Sequence, residues 1–312
     1  MAIQSLTLVS FRNHEKKEFD FSRGLTLIWG ENGSGKTAVL EAIHILSFGR
    51  SFRTHKQRDL IRNSDDALAI RGGFLTNRIS DDVAAQVIRS SGQKIKLNGK
   101  ILFGRKELLG RNNVVVLSPE EQSVTKGGPV ERRRFFDKMF SVASPDYVDT
   151  LQTYSRGLKQ RNAAILQVKE NRCPPEDLHS WDDQLVKTGQ KLWLLRYGFI
   201  LEFKNHLKEM IERYDNVIQF ELSYADQAPS LESYKNEFKN SLKKDLALGR
   251  TTYGPHRDDI SLIWDNRDLR NFGSQGEHKL SLVLLKLAEM GFIHEKTGTH
   301  PTLLVDDLRV KL

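Results

Sequence analysis

The sequence predicts an α/β fold with a mixed sheet, interrupted by a mainly helical insertion, and three observations carry the prediction. Short apolar runs with strand-like spacing fill the chain before residue 117 and return after residue 250. Between them, from Val130 to Lys244, long charged segments compatible with helix dominate. A glycine-punctuated loop near residue 30 separates a short apolar run from a helical one, the strand–loop–helix order of α/β proteins. The corresponding division is 1–125 and 251–312 for the α/β part and 126–250 for the insertion.

The elements follow in order. Ile3, Leu6, Leu8 and Phe11 sit among polar residues, and Phe19 and Phe21 flank Asp20, as in strands exposed on one face. Gly24 breaks the chain, and Leu25-Thr26-Leu27-Ile28-Trp29 reads as a buried strand. After the glycine loop Gly30–Thr37, the spacing of Val39, Leu40, Ala42, Ile43 and Leu46 predicts a helix over Ala38–Phe48. Asn98-Gly99, flanked by Ile95, Leu97, Ile101 and Phe103, predicts a hairpin, because a tight turn needs positive φ at its centre. Val114–Leu117 is a second buried strand, stopped by Ser118-Pro119. Breaks at Ser144-Pro145, Cys173-Pro174-Pro175 and Ala228-Pro229 divide the helical stretch. Ile260–Trp264 is strand-like, Ser274–Phe292 helical, and Leu303-Leu304-Val305 a last apolar run.

Composition sets the outer limits. At 312 residues the chain is long enough for one large domain or two ordinary ones. With 38% hydrophobic and 28% charged residues it is neither collagen-like nor largely disordered. Arg196 interrupts Leu192–Phe203, the most apolar stretch, so no run reaches the roughly eighteen residues of a membrane span. The N-terminus lacks the charged, apolar and small-residue regions of a signal peptide. A single cysteine, Cys173, excludes a disulfide framework and a cysteine-built zinc site and fits a reducing cytoplasm. The net charge of +8 favours polyanionic partners without naming a chemistry.

Gly30-Glu31-Asn32-Gly33-Ser34-Gly35-Lys36-Thr37 fits the GxxxxGK[ST] phosphate-binding loop. Its glycines let backbone N–H groups turn inward around a phosphate, and the following helix points its positive end at the anion. Lys36 neutralises phosphate oxygens, and the Thr37 hydroxyl ligates Mg²⁺. The pattern predicts a nucleoside triphosphate with magnesium as ligand. No Asn-Lys-x-Asp segment is present to read guanine, which favours ATP. The site's second half needs an acidic residue ending a neighbouring strand. Pro301–Asp307 supplies it, with Asp306 holding the metal and Asp307 polarising the attacking water. Lys36 and Asp307 are thus the catalytic candidates. Ser274-Gln275-Gly276, opening an amphipathic run, reads either as a second anion-binding corner or as an ordinary N-cap.

The order of phosphate loop, long insertion, Ser-Gln-Gly helix and acidic strand resembles the ATP-binding cassette (ABC-type) ATPase heads of the structural-maintenance-of-chromosomes class. Within that class the chain resembles the bacterial RecF family. The matching phrases include Phe11-Arg12-Asn13, the phosphate loop, Leu40-Glu41-Ala42-Ile43 and Gly49-Arg50-Ser51-Phe52-Arg53-Thr54. Farther on come Asp59-Leu60-Ile61-Arg62, Ser118-Pro119-Glu120, Glu131-Arg132-Arg133-Arg134-Phe135-Phe136-Asp137, Gly254-Pro255-His256-Arg257-Asp258-Asp259 and Leu285-Lys286-Leu287-Ala288-Glu289. The resemblance implies a cytoplasmic protein of DNA replication, repair and the SOS response. It would bind duplex DNA near single-strand gaps, dimerise with ATP, hydrolyse it slowly, and act with RecR and RecO to load RecA. It also implies that Ser274 and Gly276 cap the nucleotide of a second copy, and that Arg12 and Asn13 lie near the phosphates. Glu277-His278-Lys279 departs from the family pattern. The resemblance further implies a longer C-terminus, so a truncated head with weak dimerisation and turnover is expected.

DNA binding requires cations that displace counterions from phosphates. The densest segment holds Arg50, Arg53, Lys56, Arg58 and Arg62, and Arg132-Arg133-Arg134 is a second cluster. Neither regular aromatic interleaving nor a helix-turn-helix pattern is present, so backbone contacts with little sequence preference are expected. His256, His278 and His294 lack a metal-ligand spacing, and Trp181 and Trp193 read as core. A transport-type cassette would have a shorter insertion and usually two glycines after the signature serine; neither is found. An ATP-binding clamp without effective turnover stays open.

Overall fold

The structure, a computed structural model, describes residues 2–225 and 227–306. In chain order its strands and helices begin with β1 (Ala2–Phe11), β2 (His14–Asp20), α1 (Lys36–Phe48), β3 (Ala67–Thr76), β4 (Ile79–Ile88), β5 (Gly92–Leu97), β6 (Lys100–Ile101) and β7 (Val114–Leu117). There follow α2 (Ser123–Lys126), α3 (Pro129–Ala143), α4 (Pro145–Lys169), α5 (His179–Tyr214), β8 (Phe220–Ser223), α6 (Leu231–Asn240) and α7 (Leu242–Leu248). The last are β9 (Ser261–Trp264), β10 (Arg267–Asp268), α8 (Leu269–Phe272), α9 (Gln275–Thr297) and β11 (Thr302–Val305). Contacts group them into two compact units, one of the described residues up to Gln122 and from Glu289 onward, the other Ser123–Ala288.

The first unit is built on a six-stranded sheet in the order β2-β1-β3-β4-β5-β6. Ile3, Leu6, Leu8 and Phe11 are all buried, although a strand alternates with period two. Two irregularities reconcile them: the β1–β3 register shifts between Ile3 and Ser5, and Ser10 adopts φ 52°. Helix α1 buries Val39, Ala42, Ile43 and Leu46. Gly72 on β3 admits it, since a Cβ there would stand 2.7 Å from Leu46 Cδ1. The Asn98-Gly99 hairpin forms between β5 and β6, with φ of 51° and 82°. Strand β7, buried at every residue, pairs in parallel with β11, Val114 opposite Thr302 and Leu117 opposite Val305.

One expected strand is absent. Leu25–Trp29 follows the chain without ladder pairing, and Leu25 and Trp29 are 92% and 86% exposed. Apolar character alone does not make a strand; a neighbour must supply hydrogen bonds, and no described strand pairs with this segment.

The second unit is mainly helical. Its breaks fall at the prolines: Pro129 and Pro145 occupy first helical turns, where the missing N–H costs nothing. Ser144 caps α4, its Oγ accepting from Tyr147 N at 3.2 Å. Helix α5 runs 36 residues and buries Leu185, Leu192, Trp193, Ile200, Phe203 and Leu207 along one stripe. A small sheet, β10-β9-β8, sets Leu222 opposite Leu262. Strand β8 went unforeseen because four residues are too few to show a period.

Arg196, which breaks the apolar stretch of α5, is 1% exposed and fully engaged. Its guanidinium donates to the Pro255 carbonyl at 2.9 Å, to Asp258 at 2.7 Å and to Asp137 at 2.9 Å. Asp258 also accepts from Trp193 Nε1 and the Tyr224 hydroxyl, each at 2.7 Å. Asp259 accepts from Arg132 at 2.7 Å, and the Asp258 carbonyl from Arg133. The Gly254–Asp259 phrase is therefore the knot that ties α3, α4 and α5 together. It also consumes the second basic cluster: Arg132 and Arg133 serve this knot, and Arg134 pairs with Glu131 at 2.7 Å.

His256 completes the knot. Its Nε2–H donates to the Thr251 carbonyl at 3.1 Å, which leaves Nδ1 to accept from the Tyr154 hydroxyl at 2.7 Å. This is the neutral ring, and burial pushes its pKa from 6.5 down to about 4. Between those values the unfolded chain binds the extra proton, so stability is full above pH 6.5 and declines as pH falls to 4. The expected loss is on the order of 3 kcal/mol. Urea midpoints measured across that range check it, and a His256→Gln variant should show a flatter profile.

Candidate functional site

The turn between β1 and β2 brings three side chains to the phosphate loop. Arg12 takes φ 55° there. Asn13 Nδ2 donates to the Gly33 carbonyl at 2.7 Å, and His14 Nε2 lies 3.2 Å from the Gly35 carbonyl. The loop closes on Gly30, Gly33 and Gly35, with φ of 153°, 82° and 93°. At Gly35 a Cβ would stand 2.6 Å from Asn13 Oδ1, so both conformation and space require glycine. Glu31, Asn32 and Ser34 are exposed along the loop. Helix α1 starts directly at Lys36, and Gly35 offers its first N–H groups no side-chain cap. They remain donors for an anion, as the sequence pattern requires.

Lys36 Nζ donates to the carbonyls of Gly30 and Glu31 at 3.0 and 2.8 Å, across the mouth of the loop. At the second residue of the helix, Thr37 Oγ1 donates to Asp306 Oδ1 at 3.0 Å. The two residues are 269 positions apart and meet because β11 delivers Asp306, whose N–H binds the Leu117 carbonyl. A hydroxyl and a carboxylate oxygen at this separation are hard donors of the kind Mg²⁺ takes, alongside phosphate oxygens and water. Among the described residues no group of three or more His, Cys, Asp or Glu side chains could hold a metal by itself. Asp307 lies outside the described residues.

A cavity of about 1250 Å³ opens over the loop. Gly30, Gly33, Lys36, Thr37 and Asp306 line one part of it; Leu25, Leu27, Leu303 and Val305 line another. Arg12, Asn13, Arg53 and Arg62 also reach it. Of the basic segment, Arg50, Lys56 and Arg58 are exposed, while Arg53 stands near Glu120 at 3.8 Å and Arg62 near Glu15 at 3.3 Å.

In the second unit, Ser274, Gln275 and Gly276 are exposed at the start of α9. Ser274 and Glu277 form a reciprocal capping box: Glu277 N donates to Ser274 Oγ at 3.2 Å and Ser274 N to Glu277 Oε2 at 2.6 Å. Glu277, where the sequence leaves the family pattern, thus has a local task. Burial lowers the pKa of His278 beside it, with the charge of Lys126 adding to the effect. Trp193 is core as expected, and Trp181 is half-buried. No helix among the described residues is long and apolar enough to cross a membrane.

Sequence reasoning missed His14 and Glu41. The signal for Glu41 was available: a carboxylate amid Val39, Leu40, Ala42 and Ile43, where a helix shows its buried face.

Comparison with known proteins agrees with this geometry. Residues 5–248 match the family model described as an AAA domain. The DNA replication and repair protein RecF of an Exiguobacterium species is 34% identical over 322 residues, covering 100% of this chain and 86% of that protein. A solved structure of the recombination mediator protein RecF-ATP in the RecFOR pathway is 30% identical, with TM-score 0.93 over 99% of this chain and 86% of that one. The Smc head domain of Pyrococcus furiosus, at 16% identity and TM-score 0.53 over 97% of this chain and 89% of its own, shares the fold. The fold is the ABC-type ATPase head, and the chain belongs to the RecF family of DNA replication and repair proteins.

Proposed function

We propose that this chain binds ATP and Mg²⁺ at the Gly30–Thr37 loop and uses them to control its grip on duplex DNA near single-strand gaps during replication and repair. The observation that carries the proposal is the Thr37–Asp306 contact of 3.0 Å at the foot of the phosphate loop. It joins the two halves of a triphosphate site from opposite ends of the sequence, in a relative of a protein solved with ATP.

In this proposal the loop N–H groups and Lys36 take the phosphates, Thr37 and Asp306 hold the magnesium, and Asp307 orients water. Arg12 and Asn13 flank the phosphates. Residues 1–125 and 251–312 serve as the ATPase head and 126–250 as its insertion. Ser274 and Gly276, exposed at a capped helix start, complete the nucleotide site of a second copy. RecO and RecR are the partners in RecA loading, and the cytoplasm is the compartment. Arg50, Lys56, Arg58 and Arg62 face the DNA backbone, while Arg53, the remaining cation of that segment, turns to the nucleotide cavity.

The test follows duplex affinity of the full chain against salt, with and without ATP, beside turnover on gapped duplex. Four phosphate contacts predict a log–log salt slope of roughly −3 to −4, with little dependence on sequence. Turnover should rise with gapped duplex. A salt-insensitive affinity or strong preference for one duplex sequence would sink the DNA part; tight ATP binding without turnover would favour the clamp.

A further inference from the structure

Glu41 sits on α1, one turn beyond Thr37, with no solvent exposure. A buried carboxylate is costly unless its oxygens are fully bound, and these are. Arg12 grips them with two arms, Nε to Oε2 at 2.8 Å and Nη2 to Oε1 at 2.6 Å. The Ser51 hydroxyl donates to Oε1, and the Arg53 guanidinium stands 3.9 Å from Oε2. Ser51 Oγ in turn accepts the N–H groups of Arg53 and Thr54 at 2.9 and 3.1 Å, which fixes the turn that carries Arg53. The third arm of Arg12 donates to the Asp59 carbonyl at 2.8 Å.

Arg12 and Arg53 come from separate segments, and both line the cavity over the phosphate loop. Two guanidinium groups converging on one cavity repel each other and have many rotamers open to them. A carboxylate buried between them removes both objections. We propose that Glu41 is a positioning residue: it holds Arg12 and Arg53 on the cavity wall, where their guanidinium groups meet the phosphates bound by Lys36 and Thr37. This rests on the nucleotide-binding proposal above and adds the residue that sets its cationic wall.

The sign of the effect separates this role from two others. Glu41→Gln removes a negative charge close to a polyanion site, so electrostatics alone predicts tighter ATP binding. A purely structural role predicts lower stability with unchanged affinity in the folded protein. Positioning predicts weaker binding despite the lost negative charge, since the amide N–H₂ faces an arginine N–H and the two-armed grip is lost.

The experiment is ATP titration of the full chain by calorimetry at fixed ionic strength. Wild type, Glu41→Gln, Glu41→Asp, Arg53→Gln and the 41/53 double variant are compared, each checked for cooperative unfolding. We expect Glu41→Gln to bind ATP about tenfold more weakly. Glu41→Asp should recover most of the loss, and the double variant should lose less than the sum of the singles. Should Glu41→Gln fail to fold, Ser51→Ala removes one hydrogen bond to Glu41, frees the turn that carries Arg53, and should weaken ATP binding about threefold. Unchanged or tighter binding in folded Glu41→Gln, or unchanged binding in Ser51→Ala, overturns the role of Glu41. Absence of ATP binding by the wild type overturns the nucleotide proposal and this inference with it.

Discussion

An Asp258→Ala variant will lose about 3–5 kcal/mol of stability, more than any surface substitution in the chain. The alanine takes away the acceptor shared by Arg196, Trp193 and Tyr224. Arg196 is then left in the interior with Asp137 as its one carboxylate partner and no route for a guanidinium to lose its proton. The indole N–H and phenol O–H are stranded at the same time, each at the cost of an unmet buried hydrogen bond. Asp258→Asn should fall between, since its carbonyl oxygen still accepts but the charge is gone. Urea unfolding followed by far-ultraviolet circular dichroism gives the difference. A loss below about 1 kcal/mol would mean that the knot is ornamental.

A Lys36→Ala variant will bind ATP about a hundredfold more weakly, roughly 3 kcal/mol, with little change in stability. On the proposed function the ammonium makes charge-assisted contacts to phosphate, each worth about 1.5–3 kcal/mol. In the protein alone it rests on the carbonyls of Gly30 and Glu31, which water can satisfy once it is gone. Calorimetric titration beside an unfolding curve checks both halves. Equal affinity for the variant and the wild type would move the nucleotide away from this loop.

What was legible in the sequence was local. The glycines of the phosphate loop, the Asn98-Gly99 hairpin and the proline breaks at 145 and 174–175 act through their own backbone conformations, which a short window reveals. What was hidden depends on distant partners. Arg132 and Arg133 read as free basic residues because Asp259 and Asp258 lie 127 and 125 positions away. Arg196 read as an interruption of an apolar stretch for the same reason. Leu25–Trp29 failed in the opposite direction, since its apolar character was plain while its lack of a pairing strand among the described residues could not be read from the segment. Within the candidate site, pattern alone singled out Lys36, Thr37 and Asp306, and the fold brings Thr37 and Asp306 into contact. Glu41 was passed over because the helix around it already accounted for itself as core.

The meeting of Thr37 with Asp306 also imposes a timetable on biosynthesis. The helical unit, Ser123–Ala288, is contiguous, so its internal contacts need no residue that comes later in the chain. The phosphate loop emerges much earlier yet must wait for a carboxylate 269 residues downstream. At about 5–20 residues per second that delay is roughly 10–50 seconds, long compared with the folding of most single domains. During it, β7 is a wholly apolar strand without its parallel partner, available to chaperones or to the same strand of a neighbouring nascent chain. Thr37 and Asp306 can therefore meet only after the whole helical unit has been synthesised.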